Sequence, residues 1–102
     1  MAKRCSDVIR ATVVDGVAGL LADLGDFPRA ARLLGTADHW RSGRPRSLPE
    51  RAPVERAEAA VRAALGGARC EAERARGTTL TADDVLRELA EAHSAYADGG
   101  VV

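Results

Sequence analysis

A chain of 102 residues with no net charge has room for one domain and a modest core, and it lacks the basic excess of a nucleic-acid-binding module. Hydrophobic residues make up 46% but aromatics only 3%, so much of the apolar content is Ala and the core must come from close contact between helices. Val, Ile and Phe do not gather in alternating runs, which excludes a sheet and leaves an all-α fold.

No segment approaches the roughly 20 apolar residues needed to span a bilayer, and the N-terminal MAKRCSDVIR lacks the apolar run of a signal peptide. A cytoplasmic, membrane-free chain is expected, with Cys5 and Cys70 reduced. There is no CxxC and no cluster of His beside Cys, so neither a metal nor another cofactor is expected. Arg supplies all but one of the 15 basic residues, a habit of GC-rich genomes rather than a functional signal. Residues 1–53 carry nine basic and six acidic side chains, and residues 54–102 carry six and nine. The two halves can therefore attract each other, within one chain or across a dimer.

The first helix is expected from about Ser6 to Leu24. Ser6 or Asp7 can cap it, and Val13, Val14, Val17, Leu20, Leu21 and Leu24 form a stripe at three- and four-residue spacing. Gly25 supplies a left-handed C-cap. The second helix begins near Pro28, whose fixed φ suits a first turn. It buries Ala30, Leu33, Leu34 and Ala37, carries Trp40 on the same stripe, and ends near Trp40 or Arg41. With the Gly25-Asp26-Phe27 turn, residues 6–41 make a helical hairpin. Residues 42–52 read as a loop rich in Pro and Arg.

Pro53 is expected to open the third helix, with Val54, Ala57, Val61, Ala64 and Leu65 on one face. Gly66-Gly67 breaks it, a short helix from Ala68 to Arg76 follows, and Gly77 ends that piece. Thr81 starts the last helix, with Asp84 three residues on in a near capping box. Val85, Leu86, Leu89, Ala92 and Tyr96 form its buried stripe, and the tail from Asp98 frays. The whole is a single helical domain over 1–102: a hairpin, a loop, and C-terminal helices over 53–97.

The hairpin resembles a tetratricopeptide repeat at Val17 and Ala18, Leu21, Gly25-Asp26-Phe27, Ala30, Leu34 and Ala37. The closing Pro of that repeat is absent, with Ser42 in its place. The wider order covers about residues 16–95: a hairpin, a Pro-rich loop, an Ala-rich helix ending Ala64-Leu65-Gly66, then Gly77 and Leu80-Thr81 before a final helix. This order resembles the C-terminal helical segment of large bacterial ATP-dependent transcriptional regulators of the LuxR and antibiotic-regulatory types. The resemblance implies a small helical bundle used in signal sensing or partner contact. The chain carries neither the helix-turn-helix nor the phosphate-binding GxxxxGK[ST] of such regulators. Cys70 and Arg74 stand where the family tends to place two bulky aromatics, so Arg74 is expected to face a partner or leave its helix loosely packed.

A repeat hairpin cannot bury its apolar face alone, and solenoids usually need about three repeats. The remaining helices must close over it, or a partner must. A protein partner is expected, and a homodimer is the simplest one. Trp40, Arg41, Arg44, Arg46 and Arg74 are the protein-contact candidates, and the segment with Arg41, Arg44, Arg46 and Arg51 next to Trp40 is also the best nucleic-acid candidate, since Arg can pair with phosphate and Trp can stack a base. Trp and Arg are enriched at interface hot spots, and the neutral overall charge weighs against nucleic acid. His39 suits the dipole at a helix end, and His93 is expected to face solvent. Asp83-Asp84 reads as a helix start rather than a cation site. No nucleophile signature accompanies Cys70, and no catalytic residue is expected. The chain thus reads as a non-enzymatic, regulatory protein-interaction module. The alternative is a small-molecule-binding or accessory enzyme domain with a cavity between hairpin and last helix. An apolar pocket holding convergent polar groups would favour the alternative, and a flat, apolar, symmetric surface the module.

Overall fold

Five helices, and no strand among the described residues, make up the computed structural model, which describes residues 2–41 and 48–100. They are α1 (Ala2–Leu24), α2 (Phe27–Arg41), α3 (Leu48–Leu65), α4 (Gly67–Gly77) and α5 (Ala82–Gly100). The fold is all-α, a helical hairpin closed by three further helices into a small bundle. No described helix is long and apolar enough to cross a membrane.

The hairpin turn follows from Gly25. Its φ is +89°, a region that L side chains rarely adopt. Its N–H donates to the Ala22 carbonyl at 3.1 Å, and the Asp26 N–H to the Leu21 carbonyl at 2.9 Å. That pair of bonds is a Schellman cap, which satisfies carbonyls the helix end would leave open. The Asp26 carbonyl then accepts the Ala30 N–H at 3.0 Å and starts α2. Gly66, also at positive φ (+84°), separates α3 from α4 by a different turn, donating to the Arg62 carbonyl at 2.9 Å and accepting from the Cys70 N–H at 3.0 Å. The reciprocal capping box at α5 is present: Thr81 N–H to Asp84 Oδ2 at 3.0 Å, and Asp84 N–H to Thr81 Oγ1 at 3.2 Å. The Thr81 backbone N–H, foremost, and then the Thr81 hydroxyl hold the Asp84 carboxyl below its ordinary value.

Several boundaries differ from the sequence expectation. The first helix starts at Ala2, so Ser6 and Asp7 lie inside it rather than at its cap. The third starts at Leu48, five residues before Pro53. Pro49 is the proline that suits its first turn, and Pro53 is carried inside the helix at the loss of one backbone hydrogen bond. Only residues 42–47 of the expected loop remain, and they lie outside the described residues. Gly77 ends α4 as expected, with Thr78 capping the helix at φ −66°.

The core is centred on α2. Ala30, Ala31, Leu33, Leu34 and Ala37 are fully buried, as expected for four of them, and Thr36 is buried with them. Around α2 stand Ala11, Val14, Ala18, Leu21 and Ala22 of α1, Val54, Ala57 and Val61 of α3, Cys70 of α4, and Val85 and Ala92 of α5. The closest approach joins α2 to α4. A methyl built on Gly35 would overlap the Arg74 carbonyl, and one built on Gly77 would overlap the Arg32 carbonyl. Thr36 Oγ1 donates across the same contact to the Gly77 carbonyl at 2.7 Å, which satisfies a buried hydroxyl.

The expected α1 stripe is half inverted. Val14 and Leu21 are buried, but Val13, Leu20 and Leu24 are 61%, 57% and 50% exposed. On α5, Leu86 is 63% exposed where a core position was expected. Ala64 of α3 is exposed as well. The reason is the contact distance. An Ala face lets two helices approach closely, so α1 turns Ala11, Ala18 and Ala22 inward and its larger residues outward. The side chain of Tyr96 lies outside the described residues, and α5 runs on to Gly100.

Candidate functional site

The outward-turned residues of α1 do not stand alone. Ile9, Val13, Val14 and Val17 face Ala82, Val85, Leu86 and Leu89 of α5 across a groove of about 330 Å³, with Trp40 of α2 in its wall. Ile9 and Leu86, 65% and 63% exposed, form its open lips. Trp40 is half-buried and packs against the core from the end of α2. Among the described residues lining the groove, Arg10 is the one with a charge. Such a surface removes water from an apolar side chain and offers few fixed polar groups to orient a small substrate.

Charge pairing holds α5 in position beside the groove. Arg29 reaches Glu88 Oε2 and Glu91 Oε2, both at 3.1 Å, and Asp26 Oδ2 at 2.8 Å. Arg32 lies 3.2 Å from Glu88 and 3.4 Å from Glu73. The Asp26 bond, foremost, raises the Arg29 guanidinium above its ordinary value. These arginines belong to the basic half of the chain and their glutamates to the acidic half, so the two halves attract each other within one molecule.

The expected contact residues part company. Trp40 lies in the groove, between α1 and α5. Arg41 turns inward: it is 4% exposed, and its Nη2 donates to Asp15 Oδ2 at 2.7 Å and Thr12 Oγ1 at 3.3 Å. It therefore ties α2 to α1 and offers no surface to a partner. Arg74 is half-buried and bridges Asp38 of α2 to Glu58 of α3, the latter at 3.4 Å, so its pairing is internal. Arg51 is exposed on α3. Arg44 and Arg46 lie outside the described residues.

Cys70 is buried in the core, whereas His39 and His93 are exposed. Among the described residues, no three metal-ligating side chains converge. Two other depressions are polar or small-lined. One, between α1 and α3, is bordered by Gly16, Gly19, Asp23 and Arg56. The other, between α2 and α4, is bordered by Gly35, His39, Glu71 and Arg74.

The groove residues that sequence reasoning missed are Ile9 and the outward roles of Val13 and Leu86. A signal was present. Helix α1 carries two apolar lines, one of Ala with Val14 and Leu21, and one running through Ile9, Val13, Leu20 and Leu24. Only one line can face α2, and an Ala-rich core favours the smaller. No protein-family model, curated protein or solved structure matches the chain.

Proposed function

We propose that this chain is a non-enzymatic protein-interaction module, used in regulation in the cytoplasm, whose docking surface is the groove between α1 and α5. The observation that carries the reading is the lining: apolar side chains with Arg10 alone carrying charge. A small-molecule or accessory enzyme site between hairpin and last helix calls for convergent polar groups at that place. An apolar channel open along a helix suits an apolar helix face instead. The partner expected first is a second copy, giving a homodimer through a self-complementary surface. The regulatory use rests on the resemblance to the C-terminal segments of the large transcriptional regulators.

Photo-crosslinking tests the reading independently of partner identity. A photo-reactive phenylalanine derivative replaces Leu86 on the lip, and the chain is irradiated in its native cells. A protein adduct is expected from position 86. None is expected from the same group at Ala63, which is exposed on α3 away from the groove. An absence of any protein adduct at position 86 overturns the module.

A further inference from the structure

On the outer crest of α1, Ile9, Val13, Leu20 and Leu24 lie along one line, each at least half exposed. Gly16 sits in the middle of that line, exposed, with nothing within 4 Å of a methyl built on it. Gly35 and Gly77 are explained by the crossing of α2 and α4, but no contact inside the chain requires glycine at position 16. A helix interior normally disfavours glycine. A second helix crossing close above Gly16 would require it.

The crest is also symmetric about that point. Counting outward from the middle of Gly16 and Val17, Val13 matches Leu20 and Ile9 matches Leu24. Arg10 stands at one end and Asp23 at the other. We propose, building on the docking surface above, that the occupant is a second copy of this chain. Its α1 lies antiparallel across the first and crosses at Gly16. Each Val13 meets Leu20 of the second copy, and each Ile9 meets Leu24 of the second copy. The basic end of each crest then lies at the acidic end of the other, whereas a parallel pairing would stack like charges. Leu20 and Leu24 of the second copy come down beside Ile9 and Val13, on the lip of the α1–α5 groove. With Leu86, the crest offers roughly 500 Å² of apolar surface per copy, the greater part of a standard interface side of about 800 Å². A neutral chain with Asp23 on this face has no special affinity for an anionic lipid surface.

Disulfide trapping reads the register. Two chains with one accessible cysteine each, Val13→Cys and Leu20→Cys, are made with Cys5→Ser; the buried Cys70 is left in place. Mixed and oxidised, they should form a 13–20 disulfide dimer. Neither should crosslink alone, because like positions lie about 10 Å apart along the axis, seven residues at about 1.5 Å each. Gly16→Leu should raise the dissociation constant at least tenfold without lowering the thermal midpoint of the dilute monomer. A dimer by light scattering in which Val13→Cys crosslinks to itself overturns the antiparallel register. A chain with no detectable dimer at about 1 mM, well above the expected dissociation constant, overturns the second copy as occupant. In that case, an adduct of another mass from position 86 still upholds the docking surface, and the absence of any adduct removes both.

Discussion

Gly77→Ala tests the contact on which the bundle depends. The added methyl meets the Arg32 carbonyl, which belongs to the backbone of α2 and cannot rotate away. Helix α4 must shift outward, and overpacking of this kind costs about 1–3 kcal/mol. The shift also pulls the Gly77 carbonyl from Thr36 Oγ1, now 2.7 Å away; the hydroxyl keeps the Arg32 carbonyl at 3.0 Å, so the loss is that of one hydrogen bond, about 0.5–1.5 kcal/mol. Ala regains a few tenths of a kcal/mol in helix propensity at a terminal position. The net loss should be about 1–4 kcal/mol, out of the 5–15 kcal/mol typical of a whole domain. At about 4–8 °C per kcal/mol, the thermal midpoint should fall by roughly 5–30 °C. Gly16→Ala is the internal control, since its methyl enters open space; it should stabilise by about 0.5–1 kcal/mol. Both are read by circular dichroism during thermal and urea unfolding of dilute chain. If Gly77→Ala costs no more than Gly16→Ala gains, α2 and α4 do not approach as closely as described.

Three further perturbations probe other parts of the argument. Gly25→Val places a β-branched residue at φ +89° in the Schellman cap, and a loss of about 1–3 kcal/mol in urea unfolding is expected; an unchanged midpoint would refute the hairpin geometry. Asp15→Ala leaves the Arg41 guanidinium, 4% exposed, without its carboxylate, and should cost about 3–5 kcal/mol by the same measurement, whereas a loss under about 1 kcal/mol would mean that the pair is hydrated. The Asp84 carboxyl, held below its ordinary value of 3.8, stabilises the start of α5 above that pH and ceases to do so as pH falls through its depressed folded value. The Thr81 amide resonance should report this titration with a midpoint below 3.8, and a midpoint at or above 3.8 would remove the capping box.

What the sequence disclosed, and what it withheld, divides along physical lines. Turn chemistry was legible because it is local. Gly25, Gly66 and the Thr81–Asp84 box each act on backbone groups within four residues, and all three stand where the residues place them. The α2 core was legible because Ala30, Leu33, Leu34 and Ala37 leave one apolar solution. Pro53 misled because proline fits a helix's first turn but does not forbid a longer start, and Pro49 supplied that start. The inward Arg41 and the internally paired Arg74 were not legible. Their partners Asp15, Asp38 and Glu58 are 16 or more residues distant, and side-chain type alone does not say which way a long cation turns. The groove depended on a choice between two apolar faces of α1, which helix spacing leaves open and contact distance decides.

That same choice sets the strength of any partner contact. By burying Ala, the bundle leaves Ile9, Val13, Leu20, Leu24 and Leu86 at 50–65% exposure. Full burial of such a side chain is worth about 1.5–3 kcal/mol, so covering the remaining surface contributes about 1–2 kcal/mol apiece. Over two copies the gross gain is about 10–20 kcal/mol, an upper bound that incomplete coverage reduces. Loss of translational and rotational freedom opposes it by about 4–15 kcal/mol. The midpoints of these two ranges, about 15 and about 9.5 kcal/mol, differ by about 5 kcal/mol, which corresponds to a dissociation constant on the order of 100 µM. Self-association should therefore follow concentration, with a mass near 10.7 kDa in dilute solution rising toward twice that as the chain approaches 100 µM or so. Sedimentation velocity across that range reads it directly. A dimer that persists at nanomolar concentration would show that the interface buries far more than the α1 crest and Leu86. Assembly poised in this range responds to changes in chain concentration or to a competing helix, as a regulatory contact requires.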